Sequence, residues 1–118
     1  ENAERDMHEF DSSSSYLQVM GMFTLWVGWY GFNTGAALAV LGEGSILAGK
    51  IAMNTTLAAC AGGFGSYVHC YGMMQRIDLS IICNGVISGL IAITAPCDIC
   101  TRLDSTIIGF LAGLILYP

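Results

Sequence analysis

Long apolar runs separated by short polar brackets organise this chain. The first run extends from Tyr16 to Leu41 without a charged residue and the second from Ile46 to about Met73, with Lys50 near its start. The third covers Leu79 to Ala95 and is closed by Pro96, and the fourth runs from Asp104 to Pro118. The apolar positions are continuous and do not alternate, so they predict helices and not half-buried strands. At about 1.5 Å per residue, the first two runs have the length to cross a hydrocarbon core of about 30 Å. The expected architecture is all-α: a polytopic membrane helix bundle of three and a half spans, about 16–41, 46–73, 79–95 and 104–118. Residues 1–15 form an acidic, Ser-rich loop, in which Ser14 or Ser15 is placed to cap the first helix. The brackets Gly42-Glu43-Gly44-Ser45 and Met73 to Asp78 read as polar connections.

Charge supports this picture mainly by its placement. Of 118 residues only 11% are charged and 54% are apolar, against about 25% charged in soluble globular domains. Mean hydropathy is +0.63. The net charge of -5 belongs largely to the tail, because Glu1, Glu4, Asp6, Glu9 and Asp11 all precede the first run. Basic residues number four, at Arg5, Lys50, Arg76 and Arg102, too few for a nucleic-acid interface. They are balanced between the two faces, so orientation does not follow from charge. The chain opens on Glu1 without a signal-peptide pattern and stops at Pro118 inside an apolar run. It is therefore expected to be an internal fragment of a longer protein.

Small residues recur at helical spacing in every run. Gly28, Gly31 and Gly35 follow Gly21 in the first, Gly85 and Gly89 form a GxxxG pair in the third, and Gly109 and Gly113 form another in the fourth. Ala52, Thr55, Ala59, Gly62 and Ser66 make a similar stripe in the second. In lipid, helices associate through close backbone approach, so these glycines are expected to form packing seams. Lining of a pore is the alternative use.

Blocks of residues then carry a resemblance. GWYGFN, followed by a small residue and Gly within Gly21 to Leu38, resembles the sixth membrane helix of the ammonium transporter, methylammonium permease and Rhesus family. NTTLAA at Asn54 to Ala59 resembles its seventh, CNGVISGLIAITAPC at Cys83 to Cys97 its eighth, and IIGFLAGLI at Ile107 to Ile115 its ninth. The resemblance implies part of an eleven-helix, inverted-repeat fold that assembles as a homotrimer in the plasma membrane, with residues 1–15 on the cytoplasmic side. The implied function is transport of ammonium, ammonia or methylammonium through an apolar pore in each protomer, a channel-like activity and not an enzymatic one. A Rhesus-like channel for neutral gas and an ammonium sensor on the same fold remain alternatives.

By position in GWYGFN, Phe32 matches the gating phenylalanine, and Trp29 and Leu25 match pore-wall residues below it. Ala36 stands where many members have a Ser that contacts the recruited cation, so one polar contact is lost. Thr34 stands where the family often has Pro or Ala, and Thr94 matches a pore-facing threonine. The family's paired histidines lie in the fifth and tenth helices, outside this chain, as do the Trp and Phe that complete the vestibule.

The remaining candidates support little else. Trp29, Tyr30 and Phe32 are, apart from the motif, ordinary packing or interfacial aromatics. His69 lies at a segment end and His8 in the charged tail. Cys60, Cys70 and Cys83 sit in apolar runs, where a thiol behaves as a small hydrophobe. Cys97 and Cys100 form CDIC, open to zinc, redox or disulfide readings, but Asp98 is the sole further ligand nearby. No cofactor, metal or catalytic set is expected.

Overall fold

The structure, a computed structural model, describes residues 15–41 and 45–115, without the side chains of 37–41 and 74. The acidic tail and its Ser14 cap, the Gly42 to Gly44 turn and the last three residues lie outside the described residues. Four α-helices account for nearly all of the rest: α1 (Ser15–Leu41), α2 (Ser45–His69), α3 (Leu79–Ile93) and α4 (Arg102–Ile115). A π-helical turn over Cys70–Met74 continues α2, and no strand occurs among the described residues.

Local chemistry places the ends. Gln75 adopts a left-handed conformation with φ 54° and stops the π-turn. Its Nε2 donates back to the carbonyls of Tyr71 and Gly72 at 3.2 and 3.4 Å. Asp78 caps α3 by accepting from the Ser80 N–H at 2.8 Å. That helix ends at Ile93, two residues before the expected boundary, because Pro96 lacks an N–H and disfavours helix at the residue before it. The chain then turns on the Pro96 carbonyl, which accepts from the N–H groups of Ile99 and Cys100 at 3.2 and 3.0 Å. In turn, α4 begins earlier than Asp104. Thr101 is its cap, and Asp104, three residues on, closes a reciprocal box: Thr101 N–H and Oγ1 donate to Asp104 Oδ2, while the Asp104 N–H donates to Thr101 Oγ1.

The core is built on α2, which lies against α3 on one side and α4 on the other. Here glycine is required by close approach. A Cβ on Gly62 would strike the Gly85 carbonyl, one on Gly89 or Gly109 the Ala58 carbonyl, and one on Gly113 the Gly62 carbonyl. Backbones at this range gain dispersion contacts along their whole length, and each added methyl would have to push a helix aside. By contrast, a Cβ on Gly28, Gly31 or Gly35 would meet nothing within 4 Å. The packing expected of these three glycines is not made within this chain, because their face of α1 points away from α2 and α3.

Beside an apolar core of Ile51, Leu90 and Ile93, many buried positions are small or polar and many large apolar side chains are exposed. Ala58, Ala59, Ser66, Ser105, Asn54 and Thr55 are buried. Phe23, Val27, Phe64, Ile91, Ile107 and Leu111 face outward. Even so, no helix among the described residues is long and apolar enough to cross a membrane. The 27-residue α1 and 25-residue α2 are diluted by glycine and by inward-facing Asn and Thr, while the strongly apolar α3 has 15 residues and α4, which opens on Arg102 and Asp104, has 14.

Candidate functional site

Two faces of α1 have opposite characters. The inner face carries Met22, Trp26, Trp29, Tyr30 and Asn33, at the i, i+4, i+7, i+8, i+11 spacing of one helical stripe. Met22 belongs to a core cluster with Ala59, Cys83, Val86 and Leu90, against which Trp26 and Trp29 pack. About 60–100° round the helix from Asn33, the outer stripe carries Leu25, Phe32 and Ala36. Leu25 is 47% exposed and Phe32 62% exposed, and Ala36 is also exposed. The chain places Phe32 on an open apolar wall with no second ring stacked on it among the described residues.

Polar side chains join the inner face to the rest of the bundle. Trp29 Nε1 donates to Thr94 Oγ1 at 2.9 Å, and that hydroxyl donates to the Leu90 carbonyl at 2.9 Å. Tyr30 OH and Thr56 Oγ1 lie 2.6 Å apart. Asn33 Nδ2 donates to Thr55 Oγ1 at 3.1 Å. Ser80 Oγ donates to Gln18 Oε1 at 3.0 Å near the other end of α1. Beside Gln18, a groove of about 250 Å³ between α1 and α3 is bounded by Leu25, Met22, Ser80, Asn84 and Ile87.

Thr94 is held in place from α2. Asn54, fully buried, donates from Nδ2 to the carbonyls of Cys97 and Cys100, both at 3.0 Å. One turn away, Lys50 Nζ donates to the Asp98 carbonyl at 2.7 Å. The Thr94 to Thr101 connection is thereby fixed to α2, and the indole of Trp29 is fixed to its start. Of the expected site residues, Trp29 and Thr94 meet directly. Leu25, Phe32 and Ala36 share one stripe: Leu25 borders the α1–α3 groove, and Phe32 and Ala36 are exposed. Asn33 and Asn54 entered the sequence reading only inside motif blocks, and Thr55 only in the small-residue stripe of the second run. An amide inside an uncharged run is the signal that marks them.

The CDIC thiols are both free. Burial pushes the Cys97 thiol up from its ordinary value, and the neighbouring Asp98 charge pushes it further. A thiol so placed is a poor nucleophile, since reactivity belongs to the thiolate. Among the described residues, no cluster of three His, Cys, Asp or Glu is placed to hold a metal ion.

Against known proteins, the model of the Ammonium Transporter Family matches residues 1–118. The chain belongs to the ammonium transporter family. A putative ammonium transporter of Synechocystis is 39% identical over 99 residues, covering 81% of this chain and 22% of the relative. Ammonium transporter Amt2 of Archaeoglobus fulgidus is 40% identical over 97 residues, covering 82% and 20%. Ammonium transporter 1 member 1 of Solanum lycopersicum is 34% identical over 113 residues, covering 87% and 23%. The chain thus spans about a fifth to a quarter of the length of these family members.

Proposed function

We propose that this segment forms one wall of an ammonium-conducting path in a longer, membrane-embedded transporter. The outer stripe of α1 carries the reading: Leu25, Phe32 and Ala36 stand open beside Trp29, on a helix pinned to the bundle by the Trp29 and Asn33 hydrogen bonds. Members of the family are membrane proteins, and the many outward-facing large apolar residues suit a bilayer. Small and polar residues pack between the helices, the amide N–H groups of Asn33 and Asn54 and the hydroxyls of Thr55 and Ser66 find acceptors, and large apolar residues face acyl chains at no cost. Each helix falls short as a solitary span, and the bundle shares the load by burying its polar groups between helices.

In this setting the chemistry is selective by desolvation. A bare cation carried into hydrocarbon costs several kcal/mol or more. An aromatic face returns roughly 0.5–2 kcal/mol to a cation at the mouth of the path. Beyond it, a wall built of Leu25, Phe32 and Ala36 offers no hydrogen bond, so ammonia passes more readily than the hydrated ion. The charge-coupling groups lie elsewhere in the longer protein. An apolar groove of about 540 Å³ between α2 and α4, bounded by Leu57, Cys60, Phe64, Ile107, Phe110 and Leu111, suits a neighbouring copy in the homotrimer that the family resemblance implies, at the plasma membrane. The relatives' names favour an ammonium transporter over a Rhesus-like gas channel.

Uptake of labelled methylammonium by the full-length transporter, in cells lacking their own carriers, tests the assignment. Phe32→Ala and Trp29→Ala are each expected to change uptake or the ammonium-to-methylammonium preference by about tenfold, a barrier change of about 1.4 kcal/mol. If both variants kept wild-type uptake and preference, the path would not run along this face.

A further inference from the structure

We propose that Asn33 is a positioning residue: its hydrogen bond to Thr55 sets the rotation of α1 and so aims Phe32 out of the bundle. The claim rests on the transport reading above and goes beyond it by naming what holds the wall in register. It starts from a contrast between the two kinds of seam. Between α2, α3 and α4 the backbones touch through Gly62, Gly85, Gly89, Gly109 and Gly113, and no rotation of those helices keeps the fit. Along α1 no such lock exists, since a Cβ at Gly21, Gly28, Gly31 or Gly35 meets nothing within 4 Å.

In lipid, burial of apolar surface does not choose which face of α1 turns inward, whereas the amide and hydroxyl groups of its inner face need partners. Directional bonds must choose. Four side-chain hydrogen bonds tie α1 to α2, α3 and the turn after α3, made by Gln18, Trp29, Tyr30 and Asn33. The Asn33 bond is the one with both partners buried, at 3% exposure for Asn33 and 0% for Thr55. Thr55 Oγ1 is itself oriented, donating to the Ile51 carbonyl at 2.8 Å and leaving its lone pair for the Asn33 amide. Asn33 Oδ1 has no partner, so the Nδ2 bond is what holds this amide in the seam. Phe32 and Asn33 are adjacent, about 100° apart on the helix. Turning α1 by one residue would carry the phenyl ring into the seam and the amide out of it.

Three variants of the full-length transporter separate positioning from bulk. Thr55→Val keeps shape and removes the acceptor, Thr55→Ser keeps the acceptor and removes a methyl, and Asn33→Ala removes the donor. The readouts are methylammonium KM and Vmax, the ammonium-to-methylammonium preference, and the labelling rate of Phe32→Cys by a small water-soluble thiol reagent. At equal amounts of inserted protein, Thr55→Val and Asn33→Ala are expected to shift KM or preference at least threefold, with the double variant no worse than the single ones. Each is expected to change the Phe32→Cys labelling rate at least threefold, while Thr55→Ser stays near wild type. Wild-type values for Thr55→Val in uptake and labelling would overturn the proposal, as would a Thr55→Ser defect equal to that of Thr55→Val. The labelling arm stands without transport: a parent that takes up no methylammonium sinks the transport reading, and labelling still decides the aim of Phe32.

Discussion

Replacing Gly113 with alanine is expected to destabilise the folded transporter by about 3 kcal/mol, the upper end of the cost of overfilling a packed core. The added methyl would sit on the Gly62 carbonyl, with the Gly62 Cα also in its way. Backbone cannot swing aside as a flexible side chain can, so α4 must shift away from α2. Because Gly109 meets the Ala58 carbonyl one turn earlier on the same seam, that shift would open the contact along most of α4. Gly49→Ala is the matched control, since a Cβ there meets nothing within 4 Å. Alanine favours helix over glycine by about 1 kcal/mol, so this change is expected to be neutral or mildly stabilising. Thermal unfolding of the detergent-solubilised full-length protein reads both. Similar melting temperatures for the two variants would remove the seam as the source of stability.

Asn54→Ala is expected to cost about 2–4 kcal/mol. The lost amide leaves the carbonyls of Cys97 and Cys100 without their 3.0 Å donors, and each unpaired buried polar group costs about 1–3 kcal/mol. The variant also removes Asn54 Oδ1, which has no partner in the wild type, and this offsets part of the cost. The consequence reaches the α1 wall. Thr94 begins the turn that Asn54 fastens, and Trp29 Nε1 is bonded to Thr94, so a loosened turn releases the indole. The expected signature is a lower melting temperature together with faster labelling of Cys100, half-buried in the wild type. Unchanged labelling with a lowered melting temperature would show that the turn is held by Lys50 and the Pro96 carbonyl instead.

Much of the helical framework follows from the length and continuity of the apolar runs. Four uninterrupted apolar runs became four helices, with ends that moved by one or two residues for reasons of capping and proline geometry. Small-residue spacing was less informative. Gly85, Gly89, Gly109 and Gly113 are covered by a neighbouring backbone, and Gly28, Gly31 and Gly35 are not. The two sets have the same GxxxG appearance, because a stripe of glycine says that a helix can be approached closely and not whether anything approaches it. Nor does a motif reveal its support. Trp29 and Thr94 stand 65 positions apart, and nothing in either block pairs them. Asn33 and Asn54 lie inside GWYGFN and NTTLAA, yet their purpose emerges only when Thr55 and the Thr94 to Thr101 turn are brought beside them.

The central claim is that the stripe bearing Phe32 faces a solute path and not acyl chains. Thiol labelling of a Phe32→Cys variant tests it most directly, with the parent carrying native Phe32 as the blank. Labelling by a small water-soluble reagent is expected, slowed by methylammonium in a concentration-dependent way. Labelling by a lipid-soluble probe alone, indifferent to methylammonium, would contradict it.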